Sequence, residues 1–106
     1  MKLHFRGTYS MNPRQLLRRA GYSEFVDPRT RQTSYARRLG GGLYPRFHAY
    51  LELLPAGFTV NLHLDQKQAS YHGHTAHSGE YDGEVVEAEG RRIVQVINYE
   101  KRADLV

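Results

Sequence analysis

The chain has 106 residues, 40% of them hydrophobic and 25% charged, an ordinary globular balance and enough for one core; a single domain over 1–106 is expected. It contains no cysteine, which excludes disulfides, iron–sulfur clusters and thiolate zinc sites, so any metal must be held by His, Asp or Glu. There is no apolar run of membrane-spanning length and no secretory leader pattern, so no membrane partner and a cytoplasmic location are expected.

The formal charge of +4 is unevenly distributed. Residues 1–50 hold ten Lys/Arg against Glu24 and Asp27, whereas residues 51–106 hold five bases against nine acids. Twelve of the fifteen bases are arginine, whose planar fork suits phosphate and carboxylate. Such asymmetry fits a basic half facing a polyanion, or facing the acidic half of a second copy. A solvated surface with scattered ion pairs is the plain alternative.

In chain order, residues 2–6 alternate as a short strand with Leu3 and Phe5 inward. Asn12-Pro13 supplies a cap and a first-turn proline for a short helix that ends at Gly21, with Leu16, Leu17 and Ala20 as its apolar stripe and Arg14, Arg18 and Arg19 outside. Residues 22–26 and 33–39 read as a hairpin with a basic tip at Asp27-Pro28-Arg29-Thr30. In the second run Arg37 shares a face with Tyr35 and Arg38 lies opposite. Gly40-Gly41-Gly42 lacks the companions of a phosphate loop.

The next hairpin is the most constrained. Phe47, Ala49, Leu51 and Leu53 fall on one face of residues 46–53, and Phe58, Val60, Leu62 and Leu64 on one face of residues 58–65. If both sets face one core, Leu53 pairs with Phe58, and the remaining register follows. His48 then lies across from His63, Tyr50 from Asn61, Glu52 from Thr59 and Arg46 from Asp65. Residues 66–79 form a polar segment carrying Lys67, Tyr71, His72, His74 and His77. From residue 78 or 82 onward, Glu80, Asp82 and Glu84 suit the first turn of a helix with Val86, Ile93 and Ile97 as its stripe. Gly90 argues against that helix, and residues 93–97 read alternatively as a final strand.

The motifs His63-Leu64-Asp65-Gln66-Lys67 and Ala76-His77-Ser78-Gly79-Glu80-Tyr81-Asp82-Gly83, with Tyr44-Pro45-Arg46-Phe47-His48 upstream, resemble a family of short bacterial proteins of unknown function. The resemblance spans about residues 44–93 and implies no activity, cofactor or partner.

Three constellations can carry chemistry. His72, His74 and His77 have a spacing compatible with a zinc or manganese site, completed by Glu80, Asp82 or Asp65; a solvated His-rich loop is the alternative. His48 and His63, with Lys67 and Arg46, suit general acid–base cleavage of a phosphodiester, which makes a His-dependent or metal-dependent hydrolase or nuclease one reading. Arg37, Arg46, Tyr50, Asn61 and Tyr71, with these imidazoles, combine positive charge, rings and amide hydrogen bonding, the mixture that holds RNA or single strands on a sheet. Tyr35 and Tyr44 extend that surface. An acidic helix bearing Glu84, Glu87 and Glu89 gives a further reading as a protein association module or homo-oligomer. The expected architecture is α+β, an antiparallel sheet of about five strands with a short N-terminal helix and a longer C-terminal helix on one face. Nucleic-acid binding is the expected function.

Overall fold

The computed structural model describes residues 1–66 and 83–102. Five strands, β1 (Lys2–Arg6), β2 (Ser23–Val26), β3 (Thr33–Arg38), β4 (Arg46–Leu54) and β5 (Gly57–Asp65), form one antiparallel sheet in the order β1-β5-β4-β3-β2. Helices α1 (Pro13–Arg19) and α2 (Glu84–Tyr99) complete the expected α+β arrangement.

The β4–β5 register is the one demanded by hydrophobic alternation: Leu53 faces Phe58, Leu51 faces Val60, Ala49 faces Leu62 and Phe47 faces Leu64. A slip by one residue would exchange that apolar row for His48, Tyr50, Asn61 and His63. The two-residue turn Pro55-Ala56 closes the hairpin, with Leu54 opposite Gly57. Gly57 is fixed by space, because a Cβ there would lie 1.9 Å from the Phe5 carbonyl oxygen of the neighbouring strand.

Local chemistry sets the helices. Asn12 caps α1 by accepting from the Gln15 amide at 2.9 Å, while the Gln15 side chain accepts from the Asn12 amide at 3.2 Å. Leu16 and Leu17 are fully buried, and the chain leaves the helix through Gly21 at φ 95°. In α2, Val86, Ile93 and Ile97 are fully buried, each contributing about 1.5–3 kcal/mol of apolar transfer. Residues 93–97 are therefore helical, and the strand alternative is excluded. Gly90 has a packing reason: a Cβ would lie 2.6 Å from Met1 Sδ, so the missing side chain lets α2 approach the start of β1. The helix begins at Glu84, with Glu84 and Glu87 in its first turn. Glu80 and Asp82 lie outside the described residues.

Both helices pack on the sheet face bearing Phe5, Tyr35, Phe47, Ala49, Phe58, Val60, Leu62 and Leu64. An ionic cluster pins α2 there. Glu89 is 4% exposed and accepts from Tyr22 Oη at 2.6 Å, from Arg37 Nε and Nη2 at 3.1 Å each, and from Arg92 Nε at 2.8 Å and Nη2 at 2.9 Å. Arg92 Nη2 also donates to the Ala20 carbonyl at 2.6 Å, joining the end of α1 to the cluster. The sequence pattern places Glu89 on an acidic partner-binding surface and Arg37 on a ligand-binding face. The fold spends both internally, since a carboxylate buried under a sheet needs its full set of donors.

Burial raises the Glu89 carboxyl pKa, but the hydrogen bonds from Arg92, Arg37 and Tyr22 outweigh it and hold the group at about 2, below its ordinary 4.5. A carboxylate with a depressed native pKa contributes stability above pH 4.5, and that contribution is lost as pH falls through the native value. By linkage it amounts to about 3 kcal/mol. Urea unfolding of the wild type is expected to lose this stability between about pH 4.5 and 2, and Glu89→Gln to be destabilised by about 3 kcal/mol at pH 7 with a flatter acid limb. Equal acid limbs in the two proteins would contradict the assignment.

Candidate functional site on the second face of the sheet

The alternation that sends the apolar row toward the helices sends another row to the opposite face. Along β4 this row is Arg46, His48, Tyr50 and Glu52, and along β5 it is Asp65, His63, Asn61 and Thr59, paired in that order. Flanking strands extend it with Ala36 and Arg38, opposite His48 and Arg46, and with Lys2 and His4, opposite Asn61 and Thr59. On β1, His4 Nδ1 lies 3.2 Å from Thr59 Oγ1.

The row converges on Asp65. Its Oδ2 lies 3.1 Å from His48 Nδ1 and accepts from Arg46 Nε at 3.3 Å, while its Oδ1 lies 3.3 Å from His63 Nε2. Side-chain exposure is 14% for His48, 11% for His63 and 11% for Asp65, so the charge sits in a largely water-excluded setting. The imidazole centroids are 5.1 Å apart with their planes tilted by 59°. Tyr50 walls the pair, its ring 4.8 Å from His48 and stacked on His63 at 5.8 Å. The Arg46 guanidinium lies over the Tyr44 ring at 4.7 Å.

Burial lowers the pKa of both imidazoles; Asp65 works in the opposite direction, but Arg46 adds to the lowering at each ring and His63 adds to it at His48. Both rings are accordingly neutral at pH 7, each able to offer one nitrogen as donor and the other as acceptor or ligand.

Of the residues expected to act, His48, His63, Arg46, Tyr50 and Asn61 share this face. Arg37 does not: it sits on the helix face, over the Phe47 ring at 5.6 Å, bound to Glu89. Tyr35 is likewise removed, buried at 2% exposure on the helix face with its hydroxyl donating to Glu24 Oε1 at 3.1 Å. Lys67, Tyr71, His72, His74 and His77 lie outside the described residues. Two functional features escape a linear reading. Asp65 is the hub of the site, where the sequence offers it only as opposite Arg46 and as one of three carboxylates that could complete the His72, His74 and His77 set; Arg38 is the other, directly opposite Arg46 on β3.

At the Arg38 end of β3 a cleft of about 480 Å³ is lined by Ser23, Glu24, Phe25, Arg37, Arg38 and Arg46, among others. Arg37 and Arg46 have carboxylate partners, whereas Arg38 has no ion-pair partner among the described residues. No helix among the described residues is long and apolar enough to cross a membrane. Comparison with protein-family models, curated proteins and solved structures gives no match.

The neutral state of the imidazoles has a measurable consequence. Because the unfolded chain takes up protons at these rings first, stability is expected to decline as pH falls below about 6.5, ahead of the Glu89 limb. NMR titration of the imidazole signals should place both midpoints below 6.5; a midpoint above 6.5 for either ring would mean that Asp65 outweighs burial.

Proposed function

We propose that the protein binds nucleic acid, with RNA or single strands favoured, through the second face of the sheet. The observation that carries this reading is the in-register pairing of Arg38 with Arg46 across β3 and β4 at the edge of an arginine-lined cleft. Like charges placed directly opposite each other are unfavourable; Asp65, shared with two imidazoles, partners Arg46 alone, and Glu24, which also lines the cleft, is paired with Arg14 and Arg18. A phosphodiester oxygen between the guanidiniums relieves that repulsion with charge-assisted hydrogen bonds. Beside them the half-buried Tyr50 ring, backed by His48 and His63, offers an aromatic surface to bases, which single strands expose and duplexes hide. A cytoplasmic and bacterial setting belongs to the same proposal.

A second reading rests on a separate observation, the two imidazoles held on one carboxylate. Below about pH 6.5, where one of the two rings can take up a proton, a neutral His and its protonated neighbour can divide general base and general acid work in phosphodiester cleavage, with Arg46 beside the developing charge.

Fluorescence anisotropy with a labelled oligouridine across a salt series tests the first reading, and inspection of the probe afterwards tests the second. Arg38→Ala is expected to weaken binding roughly fivefold or more and to reduce the salt slope by about 0.7, the loss of one phosphate contact to a single strand. Tyr50→Ala is expected to weaken binding by about 1–3 kcal/mol with the slope unchanged. An unaltered slope in Arg38→Ala, or no binding at low salt, would contradict the proposal. Cleaved probe, with cleavage lost in His63→Ala, would transfer the function to the hydrolase reading.

A further inference from the structure

The group formed by His48, His63 and Asp65 has the composition of a metal site. One donor atom from each residue lies within 4.8 Å of the donors from the other two. In a tetrahedral zinc site with bonds of about 2.0–2.2 Å, donor atoms stand about 3.4 Å apart; here each imidazole already lies at that distance from one oxygen of the carboxylate, His48 Nδ1 3.1 Å from Oδ2 and His63 Nε2 3.3 Å from Oδ1 of Asp65, so a small turn of the carboxyl group brings one oxygen to both rings. We propose that His48, His63 and Asp65 bind a divalent zinc ion, with the fourth coordination position left to water or to an oxygen of a bound ligand.

Four features support this assignment. The donors stand on two adjacent strands whose register is fixed by the apolar row on the other face, so the backbone supplies the preorganisation that a metal centre needs. All three side chains are largely buried, which leaves few waters competing for the ion. The carboxylate has an outer partner, since Arg46 Nε donates to Asp65 Oδ2, the type of contact that orients a ligating carboxylate. Tyr50 closes one side with an aromatic wall. Two imidazoles and a carboxylate form a nitrogen and oxygen set suited to zinc rather than to magnesium, and for such a set manganese binds more weakly.

This site differs from the cluster of His72, His74 and His77 that spacing alone singled out, because it draws on strands and not on the polar segment after β5. It stands independently of the nucleic-acid reading: an ion can bind here whether or not RNA does. If both hold, an open coordination position lies on the same face as Arg38 and Arg46, where a phosphate oxygen can reach the metal.

The test is calorimetric titration of the full, tag-free, EDTA-treated chain with zinc chloride alone. One ion per chain is expected, and it is expected to remain when His72, His74 and His77 are all changed to Ala. In that background His48→Gln and Asp65→Asn should each weaken binding at least tenfold. A readout on the unaltered chain guards against misfolded variants: long-range nitrogen–proton NMR should show zinc shifting the ring nitrogens of His48 and His63. No binding, binding abolished by the triple change, or undisturbed His48 and His63 nitrogens would each overturn the site.

Discussion

The period-two alternation of the β4–β5 hairpin is the constraint on which the rest of the molecule depends. Nine successive pairs, from Arg46 with Asp65 to Leu54 with Gly57, are set by the demand that one apolar row face the helices. Everything on the other face follows as a by-product of that demand. His48 and His63 are neighbours, Arg46 meets Asp65, and Arg38 is brought against Arg46 because β3 docks in the register that buries Tyr35 beside Ala49. The site is therefore as rigidly specified as the core, although none of its own interactions is strong enough to specify it.

The two carboxylates buried on opposite sides of the sheet illustrate how burial separates scaffold from site. Glu89 is saturated by two guanidiniums and a phenol, and its proton affinity falls accordingly. That arrangement locks α2 to the sheet and consumes Arg37. Asp65 has one guanidinium at 3.3 Å and two neutral imidazoles, a looser set of partners than the one around Glu89. The basic half of the sequence divides along the same line. Arg37 serves the scaffold, Arg14 and Arg18 pair with Glu24 outside the core, and Arg38 and Arg46 stand at the cleft on the second face.

Much of the fold was legible in the sequence, because its signals are local. The Asn12-Pro13 cap, the Asp27 turn and the alternation over residues 46–65 each act within a few residues, and each forms as read: Asp27, for example, accepts from the Arg29 amide at 2.8 Å. The pairing of His48 with His63 was legible for the same reason. What was not legible is long-range. Glu89 meets Arg37 across 52 residues, and nothing in the local pattern of an acidic helix marks one glutamate as buried rather than solvated. Gly90 reads as a helix fault in isolation, yet Met1 packs against it, a contact with no trace in either neighbourhood of the chain. The central place of Asp65 needed diagonal as well as directly opposed neighbours, since His48 reaches a carboxylate that its own register partner does not carry.

Under the proposed function the two faces of the sheet have separate duties, with the row set by Arg46, His48, Tyr50, Asn61 and His63 as the binding side. Backbone amide shift mapping of the labelled chain with a short oligouridine tests this most directly. Shifts are expected to concentrate at Arg38, Arg46, His48, Tyr50, Asn61 and His63, with Arg37, Glu89 and Arg92 unmoved. Shifts centred instead on Arg14, Arg18 and Arg19 of α1, or along α2, would place binding on the helix side and contradict it.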